Sequence, residues 1–378
     1  MKNVLVTGGA GFIGTHLCEK LYDLNYKVIV YDSLSSQVHG EGADIPSYLR
    51  DKVEFINGNV IDRDKLMNVV KRVDKVIHLA SETGVGQSMY EVERYSNGII
   101  QGTSILWDIL ANEEHGVKKV VLSSSRAVYG EGKYSCENCG IVYPDSRDKQ
   151  RLEKGDWELY CPNCNEGLTQ CATDERALLK PTSIYAIGKK TQEEISMVMG
   201  RALNIPVSVV RYQNVYGPRQ SLSNPYTGIL SIFTARLKSG KPINVYEDGL
   251  ESRDFVHVSD AVDGTILCLE NEVADYEVFN IANGVKTTVM EVANILTEYL
   301  NPNLTPVVTG NYRLGDIRHC YADITKAKEL LGYYPKFDIG TGIKSFLDWS
   351  EKESFQDLSD KAERELIAKG MLEQCSAN

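Results

Sequence analysis

An α/β fold, with a parallel sheet wound on both faces by helices, is what this sequence of 378 residues predicts. Three observations predict it. Apolar runs of strand length alternate with amphipathic stretches of helix length through the first half of the chain. The first run passes directly into a glycine-rich turn that opens a helix. An acid closes the second run, 18 residues past the last glycine of that turn.

The first strand is Val4-Leu5-Val6, followed by Thr7-Gly8-Gly9-Ala10-Gly11-Phe12-Ile13-Gly14. Gly8, Gly11 and Gly14 fall three apart, and Gly9, Gly11 and Gly14 also satisfy the dinucleotide-binding spacing. Glycines there let the backbone turn sharply, let a pyrophosphate approach the helix N-terminus and let the helix pack close to the sheet. A helix over 12–24 and a strand over 27–31 follow, and Asp32 then stands where an acid accepts from a ribose 2′-hydroxyl. No arginine comes directly after Asp32, which points to NAD over NADP.

The alternation continues with a strand over 53–56, a helix over 63–71 and a strand over 75–79. A long amphipathic helix is expected over 88–112, then a strand over 118–122 running into Ser123-Ser124-Ser125. Between 131 and 172 the pattern breaks. This polar segment carries Cys136-Glu137-Asn138-Cys139 and Cys161-Pro162-Asn163-Cys164, with 21 residues between the pairs. Two such turns present four thiolates, a closed tetrahedral shell for a structural zinc in a zinc-ribbon-like insert, against the alternatives of free thiols or a redox pair. Cys171 is a spare. The segment offers too few apolar groups for a core, so metal binding would supply its folding free energy.

The pattern resumes with a helix over 183–203 and a strand over 207–212. Past Pro218 it becomes mixed, with helices over 228–239, 261–269 and 288–299 and short strands over 243–246 and 254–258. A smaller α/β substrate domain, 219–348, is expected over the carboxyl edge of the sheet, with parts returning to the core. It follows a dinucleotide-binding domain of 1–218 and precedes a charged, helix-prone tail of 349–378, whose plain reading is a solvated segment and whose alternative is a terminal helix docked on the surface.

A hydrophobic content of 42% with 25% charged residues describes a globular protein. The net charge of −11 excludes a nucleic-acid scaffold, so an anionic ligand must be held by a few local arginines. No apolar run is long enough for a membrane span, and the early first strand leaves no room for a signal peptide. With nine cysteines, four of them in close pairs, the expectation is a reducing, cytoplasmic setting.

Tyr185 and Lys189 lie four apart on one face of a predicted helix. A lysine cation near a phenol favours the phenolate, and a positively charged nicotinamide would favour it further. Ser125, at the end of its strand, would hold the same substrate oxygen that Tyr185 deprotonates.

Five stretches carry a resemblance: residues 7–14, Ser123-Ser124-Ser125-Arg126-Ala127-Val128-Tyr129-Gly130, residues 185–189, Arg211-Tyr212-Gln213-Asn214-Val215-Tyr216-Gly217-Pro218-Arg219, and Arg253-Asp254-Phe255-Val256-His257. Together they resemble the extended short-chain dehydrogenase/reductase family, in its nucleotide-sugar epimerase and dehydratase branch, over nearly all of residues 1–348. Three further stretches, at 85–91, 223–228 and 315–320, resemble the dTDP-L-rhamnose 4-epimerases more than the UDP-galactose 4-epimerases.

The resemblance implies a Rossmann-type doubly wound sheet with tightly bound NAD. It makes Tyr185 the base, Lys189 its partner and ribose contact, and Ser125 the hydroxyl ligand. Gly8, Gly11, Phe12, Ile13, Gly14, Asp32, Asn59, Val60, Leu79 and Ala80 would cradle the cofactor. Arg126, Asn214, Arg219, Arg253 and Arg318 would hold the nucleotide-diphosphate sugar, arginine's fork suiting phosphate oxygens. For Arg219 and Arg318 the plain alternative is a surface ion pair. Asp254 would buttress its neighbours, and a homodimer is expected.

The chain also departs from that pattern. Dehydratases of the branch carry Asp-Glu directly after the Ser/Thr position, where Arg126-Ala127 stand; elimination needs an acid and a base at neighbouring carbons, which argues against dehydration. Asn59 replaces an adenine-contacting Asp, with Asp62 three residues on, and Ile99 replaces an asparagine, with Asn97 two residues earlier. The expected activity is a 4-epimerase working through a transient 4-keto sugar, on dTDP-L-rhamnose/dTDP-6-deoxy-L-talose or on a hexose pair such as UDP-glucose/UDP-galactose. The alternatives are a nucleotide-sugar reductase or dehydrogenase, and a non-enzymatic NAD-binding partner module.

Overall fold

Seven parallel strands form the central sheet of the computed structural model, which describes residues 2–226 and 228–376. Thr227 in the predicted 223–228 loop and the last two residues of the predicted tail lie outside the described residues. The strands are β1 (Asn3–Thr7), β2 (Lys27–Asp32), β3 (Val53–Asn57), β4 (Lys75–His78), β5 (Lys119–Ser125), β6 (Val207–Tyr212) and β7 (Glu277–Ile281). Their order is β7-β6-β5-β4-β1-β2-β3, so the winding reverses between β1 and β4. That reversal opens a crevice at the carboxyl ends, where doubly wound sheets bind ligands. Val4, Leu5 and Val6 are fully buried, as a strand covered on both faces requires.

One face of the sheet is covered by α1 (Phe12–Asp23) and by Val258–Glu270, through Leu17, Leu21, Ala261 and Ile266. The other is covered by Arg63–Val70, Gly102–Asn112 and Ile184–Leu203, through Leu66, Val69, Leu106 and Trp107. Trp107 Nε1 donates to Ser196 Oγ at 2.9 Å, joining the last two of these helices.

The helix expected as one piece over 88–112 is broken. Short turns at Val85–Ser88 and Val92–Ser96 lead into a π-helical segment, Asn97–Gln101, and only then into Gly102–Asn112. The cause lies across the interface: Gln192 Nε2 inserts to bond the Ile99 carbonyl at 3.2 Å, and a side chain entering the ladder widens it.

A second hydrophobic cluster joins Ile229–Lys238, Val289–Leu300 and Ile339–Ser350 through Leu230, Phe233, Val292, Leu296 and Phe346. Val289–Leu300 begins with a full capping box between Thr288 and Glu291. The tail is docked rather than solvated. Its helix Ser359–Ala368 buries Ala362 and Leu366, its strand Leu372–Gln374 pairs antiparallel with Asn311–Arg313, and Asp360 takes Arg236 and Lys241.

The cysteine-bearing insert has more structure of its own than the sequence suggested. Tyr134–Cys136 lies between Gly140–Val142 and Thr169–Gln170 in a three-stranded antiparallel sheet. Tyr134, Cys136, Val142, Leu159 and Cys161 pack as a small core. Among the described residues, no helix is long and apolar enough to cross a membrane.

Candidate active site

A cleft of about 1360 Å³ opens at the carboxyl edge of the sheet. Ser125 ends β5 and opens the 3₁₀ turn Arg126–Tyr129, its Oγ accepting from Ala127 N at 3.2 Å. Gly130 then turns the chain away at φ 63°, where an added Cβ would lie 2.1 Å from the Lys180 carbonyl oxygen. No other residue type fits there. The Ile184–Leu203 helix is capped by Ser183, whose side chain accepts from Ala186 N at 3.2 Å, and this start sets Tyr185 and Lys189 one turn apart over the end of β5.

Lys189 is buried and donates to the Ser123 carbonyl at 3.0 Å, with its Nζ 5.9 Å from the Tyr185 ring centre. Burial pushes its ammonium down to about 7, partly offset by Glu193. The Tyr185 phenol is held above its ordinary value by burial, against a hydrogen bond with Ser125 and the charge of Arg126, both of which lower it. Arg126 is thus a second cation near the phenol, in addition to Lys189, which the spacing predicts. Beneath these groups Glu193 accepts from Arg211 Nε at 2.9 Å and Nη2 at 2.6 Å, and from the Ser124 hydroxyl, tying β5, β6 and the helix together.

The glycine turn is close-packed on one side and open on the other. An added Cβ would lie 2.8 Å from Ala80 N at Gly8 and 2.4 Å from the Gly8 carbonyl oxygen at Gly14, whereas at Gly11 only Gly8 O comes near, at 3.3 Å. Gly11 caps α1 without a side-chain bond, and the first turn holds no acid. Free N–H groups at a helix N-terminus facing a cleft fit an anionic pyrophosphate. Asp32 faces the same cleft while accepting from Ala10 N at 3.0 Å and Leu34 N at 2.9 Å. Phe12, Ile13, Asn59, Val60, Leu79 and Ala80 line it as well. These residues fit a dinucleotide. Asp62 instead caps Arg63–Val70 through Lys65 N, Asn97 reaches the cleft, and Ile99 is buried against Gly188.

Of the residues expected at the sugar nucleotide, Arg126, Asn214, Arg219 and Arg253 line the cleft. Arg126 Nε donates to Asn214 Oδ1 at 2.8 Å. Arg219 pairs with Glu19 and lies over the Tyr48 ring at 4.1 Å, so cleft wall and ion pair coexist. Arg318 does not line the cleft. It is fully buried, with Glu158 at 2.7 Å, Asp248 at 2.7 Å and Glu247 at 3.1 Å, and its guanidinium is saturated by carboxylates that leave no donor for phosphate.

The residue missed was Arg313, which faces the cleft and shares Asp316 with Arg253, at 2.9 Å and 3.0 Å. Its Nε has no partner among the described groups, and the two arginines hold the Asp316 carboxyl well below the usual carboxylate range. Only its place two residues before Gly315-Asp316 could have drawn attention to it. Asp254 accepts from the backbone N–H groups of Asn283, Gly284 and Ala322, a bracing role outside the cleft lining.

Away from the cleft, the sulfur atoms of Cys136, Cys139, Cys161 and Cys164 lie within 4.8 Å of one another. Zinc–sulfur bonds of about 2.3 Å in a tetrahedron put the sulfurs about 3.8 Å apart, so the donor set fits that ion. The Cys171 thiol turns instead to the Thr169 carbonyl.

A family model described as the NAD dependent epimerase/dehydratase family matches residues 4–146 and 160–282. The chain is 35% identical to the dTDP-L-rhamnose 4-epimerase of Burkholderia thailandensis, over 93% of this chain and 96% of that one. A UDP-glucose 4-epimerase from Thermotoga maritima, solved with UDP-glucose, has a TM-score of 0.76 at 31% identity, over 93% of this chain and 99% of that one. A UDP-glucuronic acid 4-epimerase from Bacillus cereus, solved with UDP-glucuronic acid and NAD, has a TM-score of 0.75 at 25% identity, over 93% and 99%. The family match passes over residues 147–159, the middle of the cysteine-bearing insert.

Proposed function

The chain belongs to the NAD dependent epimerase/dehydratase family, and from that premise we propose that it is an NAD-dependent nucleotide-sugar 4-epimerase. The observation that carries this reading is the Tyr185 phenol, which faces the cleft in hydrogen-bond contact with Ser125 and beside Arg126. Inversion at one carbon needs one base and one acceptor of hydride, and Arg126-Ala127 supply no acid–base pair for elimination. NAD held in the cleft would supply a reversible acceptor of hydride from the sugar carbon. Ser125 orients the sugar hydroxyl. Tyr185 removes its proton, and returns it after the 4-keto sugar has turned over. Lys189, fixed to the Ser123 carbonyl, holds the helix face against β5 and would help hold the cofactor ribose.

Arg253 and Arg313, braced by their common Asp316, hold the diphosphate, so that residues 1–218 serve the cofactor and 219–348 the sugar nucleotide. The likeness to the Burkholderia thailandensis protein favours dTDP-L-rhamnose or a neighbouring deoxyhexose. The four cysteines take one structural zinc. The enzyme works in the cytoplasm as a homodimer, for which the exposed Ile187 and Val198 on one face of the Ile184–Leu203 helix offer an apolar surface. The test is incubation with dTDP- and UDP-sugars without added NAD. Epimers should accumulate to equilibrium. Turnover that appears only with added NADH, and tracks it, would replace the epimerase with a reductase on the same substrate class.

A further inference from the structure

The two arginines assigned to the diphosphate are gripped from outside the cleft. Arg147, in the insert, donates from Nη1 and Nη2 to the two oxygens of Glu247, both at 2.7 Å, and from Nη2 to the Asp316 carbonyl at 3.1 Å. Glu158, also in the insert, accepts from Arg318 Nε at 3.0 Å and Nη2 at 2.7 Å. The Arg318 carbonyl in turn accepts from Arg253 Nη1 at 3.0 Å. Thus the backbone from Asp316 to Arg318, which carries the partner of Arg253 and Arg313, is bonded on one side to the cleft arginines and on the other to the insert.

Both gripping residues fall in the stretch 147–159 that the family match passes over, so the grip is an addition to the shared fold. Glu158 directly precedes Leu159, which packs with Cys136 and Cys161 in the insert's core. Its position is therefore set by whatever holds the four sulfurs together.

We propose that Arg147 and Glu158 are positioning residues for the diphosphate arginines, and that through them sugar-nucleotide binding depends on the metal-held order of the four-cysteine insert. This rests on the nucleotide-sugar reading above. Loss of the grip frees the Asp316 backbone, and a displacement of about 1 Å in groups that position a substrate costs on the order of 100-fold.

The experiment is titration calorimetry of the full-length protein, with its zinc and NAD, against dTDP and UDP. Arg147→Met and Glu158→Gln should bind the nucleotide that the parent prefers about tenfold or more weakly, a coupling within the usual allosteric range. KM should rise with kcat within about twofold, the pattern of lost uniform binding, and NAD content should stay at the parent level. Lys154→Met, at an exposed insert position, should behave as the parent does. Removing zinc should weaken nucleotide binding in the parent and add nothing further in Glu158→Gln, the residue whose place the four-cysteine core sets.

Folded variants with parental nucleotide affinity, or variants that lose NAD in step with nucleotide, overturn the positioning role. Additive effects of zinc removal and Glu158→Gln overturn the coupling. If Arg147→Met does not fold, Glu158→Gln, which keeps the shape of its side chain, decides. A parent that binds neither dTDP nor UDP overturns the nucleotide-sugar reading and this inference with it, whereas a parent that binds while both variants match it overturns this inference alone.

Discussion

The Tyr185 phenol is raised above its ordinary value by burial and drawn down by Ser125 and Arg126. A base held above its ordinary value works better as pH rises, so kcat/KM should climb on the alkaline side until another group intervenes. Arg126→Met removes the cation that stabilises the phenolate, and the rising limb should move to higher pH. A profile that stays in place or moves to lower pH would take Arg126 out of that role. Tyr185→Phe removes the ionisable oxygen while leaving the Lys189 bond to Ser123 intact; activity should fall by about 10³-fold, within the range for a lost general base, with NAD still bound. Full activity in that variant would assign the base elsewhere. Tyr185, Lys189 and Ser125 were legible because a spacing of four and a strand end define their places locally. Arg313 and Arg318 were not distinguishable that way. Glu158, Asp248 and Glu247, which saturate Arg318, come from 160, 70 and 71 positions away.

Elements were legible where a local signal marked their ends. The helix expected over 183–203 runs from Ile184 to Leu203 with Ser183 as its cap, and the apolar run at 207–212 coincides with β6. The helix over 88–112 was misread because its interruption is caused by Gln192, a side chain from another helix. The small sheet of the insert was not anticipated, since strands of two or three residues carry no period. That sheet and its core alter the energetics expected for the insert but leave the sulfurs converged. Cys136→Ser/Cys139→Ser should therefore lose its metal, with structural zinc contributing on the order of 10 kcal/mol to modules of this size. Elemental analysis of the parent should give one zinc per chain, and less than about half an equivalent without chelator would remove zinc from the site.

On the scale of the whole molecule, the cleft is walled by segments far apart in the chain. Gly8 and Gly11 face it from the start of the sheet, and Ser359, Ala362, Glu363 and Leu366 face it from the tail helix. Gly8 and Ser359 are 351 positions apart. At about 5–20 residues per second, a ribosome takes on the order of tens of seconds to pass from one to the other. For that interval the glycine turn and its strands are made while the opposite wall is not. Cofactor that binds the early-made turn would then be enclosed by the late-made wall. Chain refolded with NAD present from the outset should retain more of it after desalting than chain given NAD once folded. Equal retention by both routes would mean that the tail opens readily and that the order of assembly leaves no mark.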